Sequence, residues 1–261
     1  MTMGSGRNSD RKGKELIMKT ARISAFLCAL TVAAAPAFAQ TSEKPWSVSF
    51  DIGAERALSG DLHGGANGTV LGLPTQVAAR TYDDIYGMGF RWTAGLGYAV
   101  TPSGELRAQF SWAKGTADRL KVGTVANFDL LGLFDDDKSM EFDLGYRQYL
   151  GGAESRVRPY LGVFGGVSRV DAIKAEFTVP AASVTLSGVD MYEESTVPVF
   201  GASAGLQAKL TDALSLQVGA DLRWRGDLSP KDGLAGTGLD GINDKSRRWS
   251  LPVFAGLTVR F

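Results

Sequence analysis

The residues that could do chemistry here are few. His63 is the only histidine in the 261 residues. It stands near Ser59 and Asp61, and a histidine that takes a hydroxyl proton while a carboxylate orients it is a sound nucleophile-activating set. Only proximity in sequence joins these three, and Gly60, Gly64, Gly65 and Gly68 around them describe an open loop. The plainer reading is an exposed loop histidine in a protein that is not an enzyme. Asp135-Asp136-Asp137 offers hard oxygen ligands of the kind Ca²⁺ takes, or else forms a solvated hairpin tip. Gly236-Thr237-Gly238-Leu239-Asp240-Gly241 matches G-x-G-x-x-G in form. That fingerprint needs a strand before it and a helix after it, whereas this one lies between two alternating segments. The Asp-Gly pairs 232–233 and 240–241 read as turn chemistry. One Cys and one His exclude a metal site built from several of either, and nothing calls for a cofactor. Basic and acidic residues balance at 28 each, which excludes the strongly positive footprint of a nucleic-acid binder.

Residues 18–39 read as an address. Lys19 and Arg22 are a positive start, 23–35 an apolar run, and Ala37-Phe38-Ala39 a small-residue cleavage site, so a secretory signal peptide is expected, with Gln40 as the mature N-terminus. The polar 1–17 stretch reads as an over-extended start or leader. Cys28 follows Leu27, where a lipid-anchor site needs a small residue. Cleavage removes six basic and two acidic residues and leaves a net charge of −4, with no cysteine. No apolar run reaches the roughly 18 residues of a membrane helix.

The elements that must position everything else are strands. In 214–224, Leu214, Leu216, Val218, Ala220, Leu222 and Trp224 share one face, and Ser215, Gln217, Gly219, Asp221 and Arg223 the other. The end of the chain repeats this from Trp249 to Phe261. Further alternating segments carry Trp46 to Ile52, Met88 to Val100, Leu106 to Trp112, Met140 to Tyr146, and Phe200 to Ala208. A segment at 158–170 has its phase blurred by Gly162, Gly165 and Gly166. Three connections are short, at 101–104, 151–157 and 211–213. Four are long, at roughly 55–85, 114–138, 171–196 and 226–247. Short turns on one rim and long loops on the other describe an all-β, eight-stranded, antiparallel up-and-down transmembrane barrel with periplasmic turns and extracellular loops. A strand of about ten residues tilted by about 45° rises about 23 Å, close to the apolar band of such barrels.

The aromatic residues indicate which face meets lipid. Trp46, Tyr98, Tyr146 and Phe261 fall toward the short-turn rim; Trp92, Trp112, Trp224 and Trp249 fall toward the long-loop rim. All lie in the apolar phase, as girdles at two membrane interfaces would. A soluble barrel would turn that phase inward.

The C-terminal LPVFAGLTVRF, with Leu257, Val259 and Phe261 in one phase, resembles the assembly signal of bacterial outer-membrane proteins. The eight-segment layout and RPYLGVFGGV at 158–167 resemble the small OmpA/OmpX-like outer-membrane barrel family over residues 45–261. The resemblance implies a Gram-negative outer-membrane location, lipid and lipopolysaccharide around the barrel, and recognition of the last strand by the barrel-assembly machinery. It implies one barrel domain at 40–261, without the peptidoglycan-binding domain of larger relatives.

In the inward phase stand Asp51, Arg91, Arg107, Glu141, Asp143, Arg147, Asp221, Arg223, Arg248 and Arg260. Eight strands leave a lumen just wide enough for side chains to fill, and buried charges must pair. These residues therefore form a salt-bridge plug or, if the inward glycines (89, 95, 97, 145, 201, 205, 219) leave water, line a small porin-like channel. Two long loops are unusually apolar, through Val122, Val125, Phe128, Leu130, Leu131, Leu133 and Phe134 in one, and Phe177, Val179, Val184, Leu186 and Met191 in the other. They either pack on each other beyond the membrane or bind an extracellular partner. The reading is of a structural or surface-interaction barrel, with a channel as the alternative and a lipid-modifying enzyme third.

Overall fold

Alternation sustained beyond ten residues makes strands longer than a membrane needs, and the computed structural model has them. It describes residues 44–70, 72–152, 154–231 and 233–261. The leader at 1–17, the signal segment 18–39 with Cys28, and Asp232 lie outside the described residues. In chain order the first strands are β1 (Trp46–Ser59), β2 (Asp61–His63), β3 (Ala66–Val70), β4 (Leu73–Val77) and β5 (Arg80–Thr81). A short helix α1 (Tyr82–Tyr86) leads to β6 (Met88–Ala99), β7 (Gly104–Gly115), β8 (Leu120–Val125), β9 (Phe128–Phe134) and β10 (Asp137–Tyr149). Then follow β11 (Val157–Val170), β12 (Ile173–Val179), β13 (Val184–Tyr192), β14 (Ser195–Lys209), β15 (Leu214–Arg225) and β16 (Arg248–Arg260).

Eight of these close into an antiparallel barrel in the order β1-β16-β15-β14-β11-β10-β7-β6. The seam between first and last strand runs in register from Ser47↔Arg260 to Ala57↔Ser250. Backbone bonds between Trp46 and Phe261, at 3.1 and 2.9 Å, finish it. Closure leaves no edge, as a strand protein in lipid requires. The apolar phase faces out: Phe50, Ile52, Leu144, Val163 and Val253 are each more than half exposed. In β11 the phase that glycine blurred is settled. Leu161, Val163 and Val167 face out, and Tyr160 and Phe164 face in.

Three of the four long connections are not loops. β3, β4, β8, β9, β12 and β13 make a second, six-stranded sheet in the order β13-β12-β9-β8-β4-β3, and β2 pairs with β5. This extracellular cap holds the apolar core of the protein, including Leu62, Val122, Leu130, Phe134, Ile173, Met191, Leu239 and Ile242. The loop residues that looked too apolar for solvent, such as Val122 and Phe134, are buried against one another there. The connection 226–247 carries no strand longer than an isolated bridge, Tyr192↔Pro230, yet it is tied down. Gly64 N–H donates to Ile242 O at 2.5 Å and Thr69 N–H to Thr237 O at 2.6 Å. Its glycine pattern is turn chemistry: Gly236, Gly238 and Gly241 all have φ near +75°, a region that favours glycine, and no helix follows.

Candidate functional site

The lumen is where the sequence concentrates charge, and the strand phases determine which charges meet. Arg91 on β6 reaches two neighbours at once. Its Nε donates to Glu55 Oε2 on β1 and its Nη1 to Glu141 Oε2 on β10, both at 2.7 Å. Arg223 on β15 donates to Asp143 at 2.5 Å and stands 3.5 Å from both Glu141 and Asp221. Its guanidinium also lies over the ring of Phe164, 4.2 Å from the centroid. Opposite strands are thus tied across the barrel axis.

Nearer the outer mouth, Asp137 on β10 accepts from Arg225 on β15, at 3.0 Å, and from Arg248 on β16. Arg248 lies over the ring of Tyr82, 4.4 Å from its centroid. Tyr82 is delivered by α1, whose start is a reciprocal cap: Thr81 Oγ1 accepts from Asp84 N–H at 3.1 Å, and Asp84 Oδ2 from Thr81 N–H at 3.0 Å. Burial pushes the Tyr82 hydroxyl up to about 12, so it stays neutral.

Toward the periplasmic end the partners change character. Asp51 accepts from Gln217 Nε2, and Gln217 Oε1 accepts from Arg147 at 2.9 Å. Arg147 stacks over Tyr160 at 3.9 Å, and Arg158 over Tyr149 at 4.4 Å. Arg107 donates to Ser49 at 2.7 Å, while Glu105 accepts from Ser47 at 2.5 Å and from Tyr149 at 2.8 Å. Arg260, half-buried, belongs to the turn end of the barrel. A gap of about 20 Å³ lies among Asp51, Arg91, Arg107, Arg147 and Asp221, room for about one water.

Sequence reasoning missed Glu55, Glu105, Asp137 and Arg225 as lumen residues. Each shares the phase of a residue it did name, Asp51, Arg107, Glu141 and Arg223 respectively. Extending every strand by two to four residues would have found them. It also missed Tyr149, Tyr160 and Phe164, aromatics that fill the space beside inward glycines. A Cβ on Gly205 would stand 2.5 Å from the Tyr160 hydroxyl.

The Asp135–Asp137 run is neither a solvated tip nor a cation site. Asp137 is buried against two arginines, Asp136 pairs with Lys114 at 3.0 Å, and Asp135 accepts from Lys174 N–H at 3.1 Å. Alternation sends neighbouring carboxylates to opposite faces, so they do not converge. Among the described residues no cluster could hold a metal ion.

His63 is buried, not exposed. Its ring stacks on Phe134 with centroids 5.5 Å apart, and its Nδ1 lies 3.1 Å from Gly64 O. Desolvation by that burial holds the imidazole below its ordinary pKa. On the outer surface of the barrel Trp92 pairs directly with Trp112, and Trp224 with Trp249. Phe200 stacks on Trp224 at 4.6 Å, and Trp46 leans on Tyr98 at 4.8 Å. Tyr146 also faces out and donates to Gln148 at 2.7 Å.

With a closed eight-stranded barrel, apolar outside and charged inside, the comparison with known proteins is decided by a family model, the outer membrane protein beta-barrel domain, which matches residues 25–244. The chain belongs to the outer-membrane β-barrel family. Its place is accordingly the outer membrane. No curated protein matches the sequence. Among solved structures, this barrel is similar to Neisserial surface protein A, at 18% identity over 83% of this chain and 97% of the other, with a TM-score of 0.46. It is also similar to OprG from Pseudomonas aeruginosa, at 10% identity over 86% and 99%, with a TM-score of 0.44. A third is Ail of Yersinia pestis, at 12% identity over 84% and 100%, with a TM-score of 0.38.

Proposed function

We propose that this barrel is a non-enzymatic, non-conducting scaffold that displays a folded β-sheet cap at the cell surface for interaction with an extracellular partner. The observation that carries this is the pair of 2.7 Å bonds by which Arg91 joins Glu55 to Glu141 across the lumen. Ion pairs that span the bore leave no wide aqueous path, and buried charges held from both sides resist being pulled open. The tier of Asp137, Arg225 and Arg248, roofed by Tyr82, supports the same reading from above.

The remaining roles follow from position. Trp46, Trp92, Tyr98, Trp112, Tyr146, Trp224, Trp249 and Phe261 form the aromatic girdle against lipid and lipopolysaccharide. Leu257, Val259 and Phe261 present the last strand to the barrel-assembly machinery. Export proceeds through a cleaved signal peptide at 18–39.

The test is single-channel recording of the folded protein in a planar bilayer, with folding checked by heat-modifiable gel migration. Silence from folded protein supports the plugged scaffold. Discrete openings that change in Arg91→Met would overturn it in favour of a small channel.

A further inference from the structure

A cavity of about 280 Å³ lies inside the cap. Its floor is Met191, Leu239 and Ile242, all buried. Its mouth is Leu73, Phe128, Val184 and Leu186, all exposed, at the tips of the β3–β4, β8–β9 and β12–β13 hairpins. An apolar cleft that opens to the outside through exposed apolar side chains is built for an apolar occupant.

One histidine breaks the apolar wall, and its chemistry specifies the occupant's polar end. Gly64 O, 3.1 Å from His63 Nδ1, can only accept, so Nδ1 carries the ring proton. Nε2 of the neutral ring is then a bare acceptor. It is buried and has no hydrogen-bond partner among the described residues. A buried acceptor left empty is unfavourable unless something donates to it. Thr75, the other polar residue in the wall, is satisfied by Leu73 O at 3.1 Å.

We propose that the cap binds a small, mainly aliphatic alcohol, with its hydrocarbon in the cavity and its hydroxyl donating to His63 Nε2. An apolar cavity of about 150 Å³ holds benzene, so this one has room for a molecule of roughly twice that size, about 11 heavy atoms. A ten-carbon primary alcohol meets that description. A carboxylate does not, since it would have to face the lone pair of Nε2. The proposal rests on the reading of the cap as the interacting surface and is independent of whether the lumen conducts.

The single histidine makes a direct test available. The full chain, without a histidine tag and labelled with ¹⁵N-histidine, is folded in detergent-free lipid nanodiscs and titrated with decan-1-ol. The free protein is expected to show the Nδ1–H tautomer. Decan-1-ol should move the Nε2 resonance saturably, and decane should bind about tenfold more weakly for want of the hydrogen bond. Ala182→Trp, which fills the mouth from an exposed hairpin tip, should abolish saturation. A shift that never saturates and is the same in Ala182→Trp marks partition into the bilayer alone and overturns the proposal. Equal affinities for decane and decan-1-ol, or an Nε2–H tautomer in the free protein, overturn it equally. The bilayer recording is unaffected by any of these results, so failure here is distinct from failure of the scaffold reading.

Discussion

Replacing Arg91 by Met isolates the cross-lumen tie. The methionine fills much of the same volume and makes neither bond. Two charge-assisted hydrogen bonds disappear, each at 2.7 Å, between side chains of which Arg91 is 5% exposed, Glu55 9% and Glu141 4%. At about 1.5–3 kcal/mol for each bond to a charged group, the loss is roughly 3–6 kcal/mol. Removing one partner of a buried pair costs about 3–5 kcal/mol, so two routes agree on about 4 kcal/mol. Glu141 keeps Arg223 at 3.5 Å, so most of the loss falls on Glu55. With a urea dependence of about 2 kcal/mol per molar, the unfolding midpoint in lipid vesicles should drop by about 2 M. The triple variant Glu55→Gln, Arg91→Met, Glu141→Gln removes every charge of the tie and should return to within about 2 kcal/mol of the parent. A loss below about 1 kcal/mol for Arg91→Met, or a triple variant no more stable than the single, would refute a lumen held by paired buried charge.

Three other outcomes are expected. The cap should loosen in acid: burial lowers the folded pKa of His63 below the 6.5 of the free side chain, so stability is full above pH 6.5 and is lost as pH falls through that lowered value; hydrogen exchange of β9 amides against pH reads this, and His63→Phe should flatten the profile. Gly205→Ala should destabilise the barrel by about 1–3 kcal/mol in the same urea assay, because the new methyl meets Val218 O and the Tyr160 hydroxyl; unchanged stability would mean the lumen is looser than it looks. Phe261→Ala should reduce outer-membrane accumulation in cells several-fold while purified protein still refolds in vesicles; equal accumulation would dissociate Phe261 from assembly.

The barrel was legible because one physical rule covers it. A strand with lipid on one side and a polar lumen on the other must alternate, and Leu214 to Trp224 does so without a break. The cap was not legible because its strands alternate for a different reason. Val122, Leu130 and Phe134 face a core made by other hairpins, and nothing in 114–138 alone names those partners. Glu55, Asp137 and Arg225 escaped because the strands were stopped at the membrane edge, whereas alternation, and with it the inward phase, continues past it. Burial of His63 depends on Phe134 from a distant hairpin, so its surrounding glycines pointed to solvent instead.

The two halves of the chain solve opposite problems with the same element. In the barrel the outside is oil, so polar groups go in, and there Arg91 pairs with Glu55 and Glu141. In the cap the outside is water, so apolar groups go in, and Leu62, Val122 and Ile173 pack as in any soluble sheet. The change of solvent occurs along single strands. β1 turns Phe50 and Ile52 outward at one end, while Arg56 near its other end pairs with Asp83 of α1 at 2.6 Å. The barrel strands keep their register across that boundary except in the β1–β16 pair, which shifts between Ala57 and Ser59, and the cap hairpins beyond it form a separate sheet. A pocket at the tips of hairpins paired into one six-stranded sheet incurs a smaller ordering penalty on binding a small ligand than a flexible loop would.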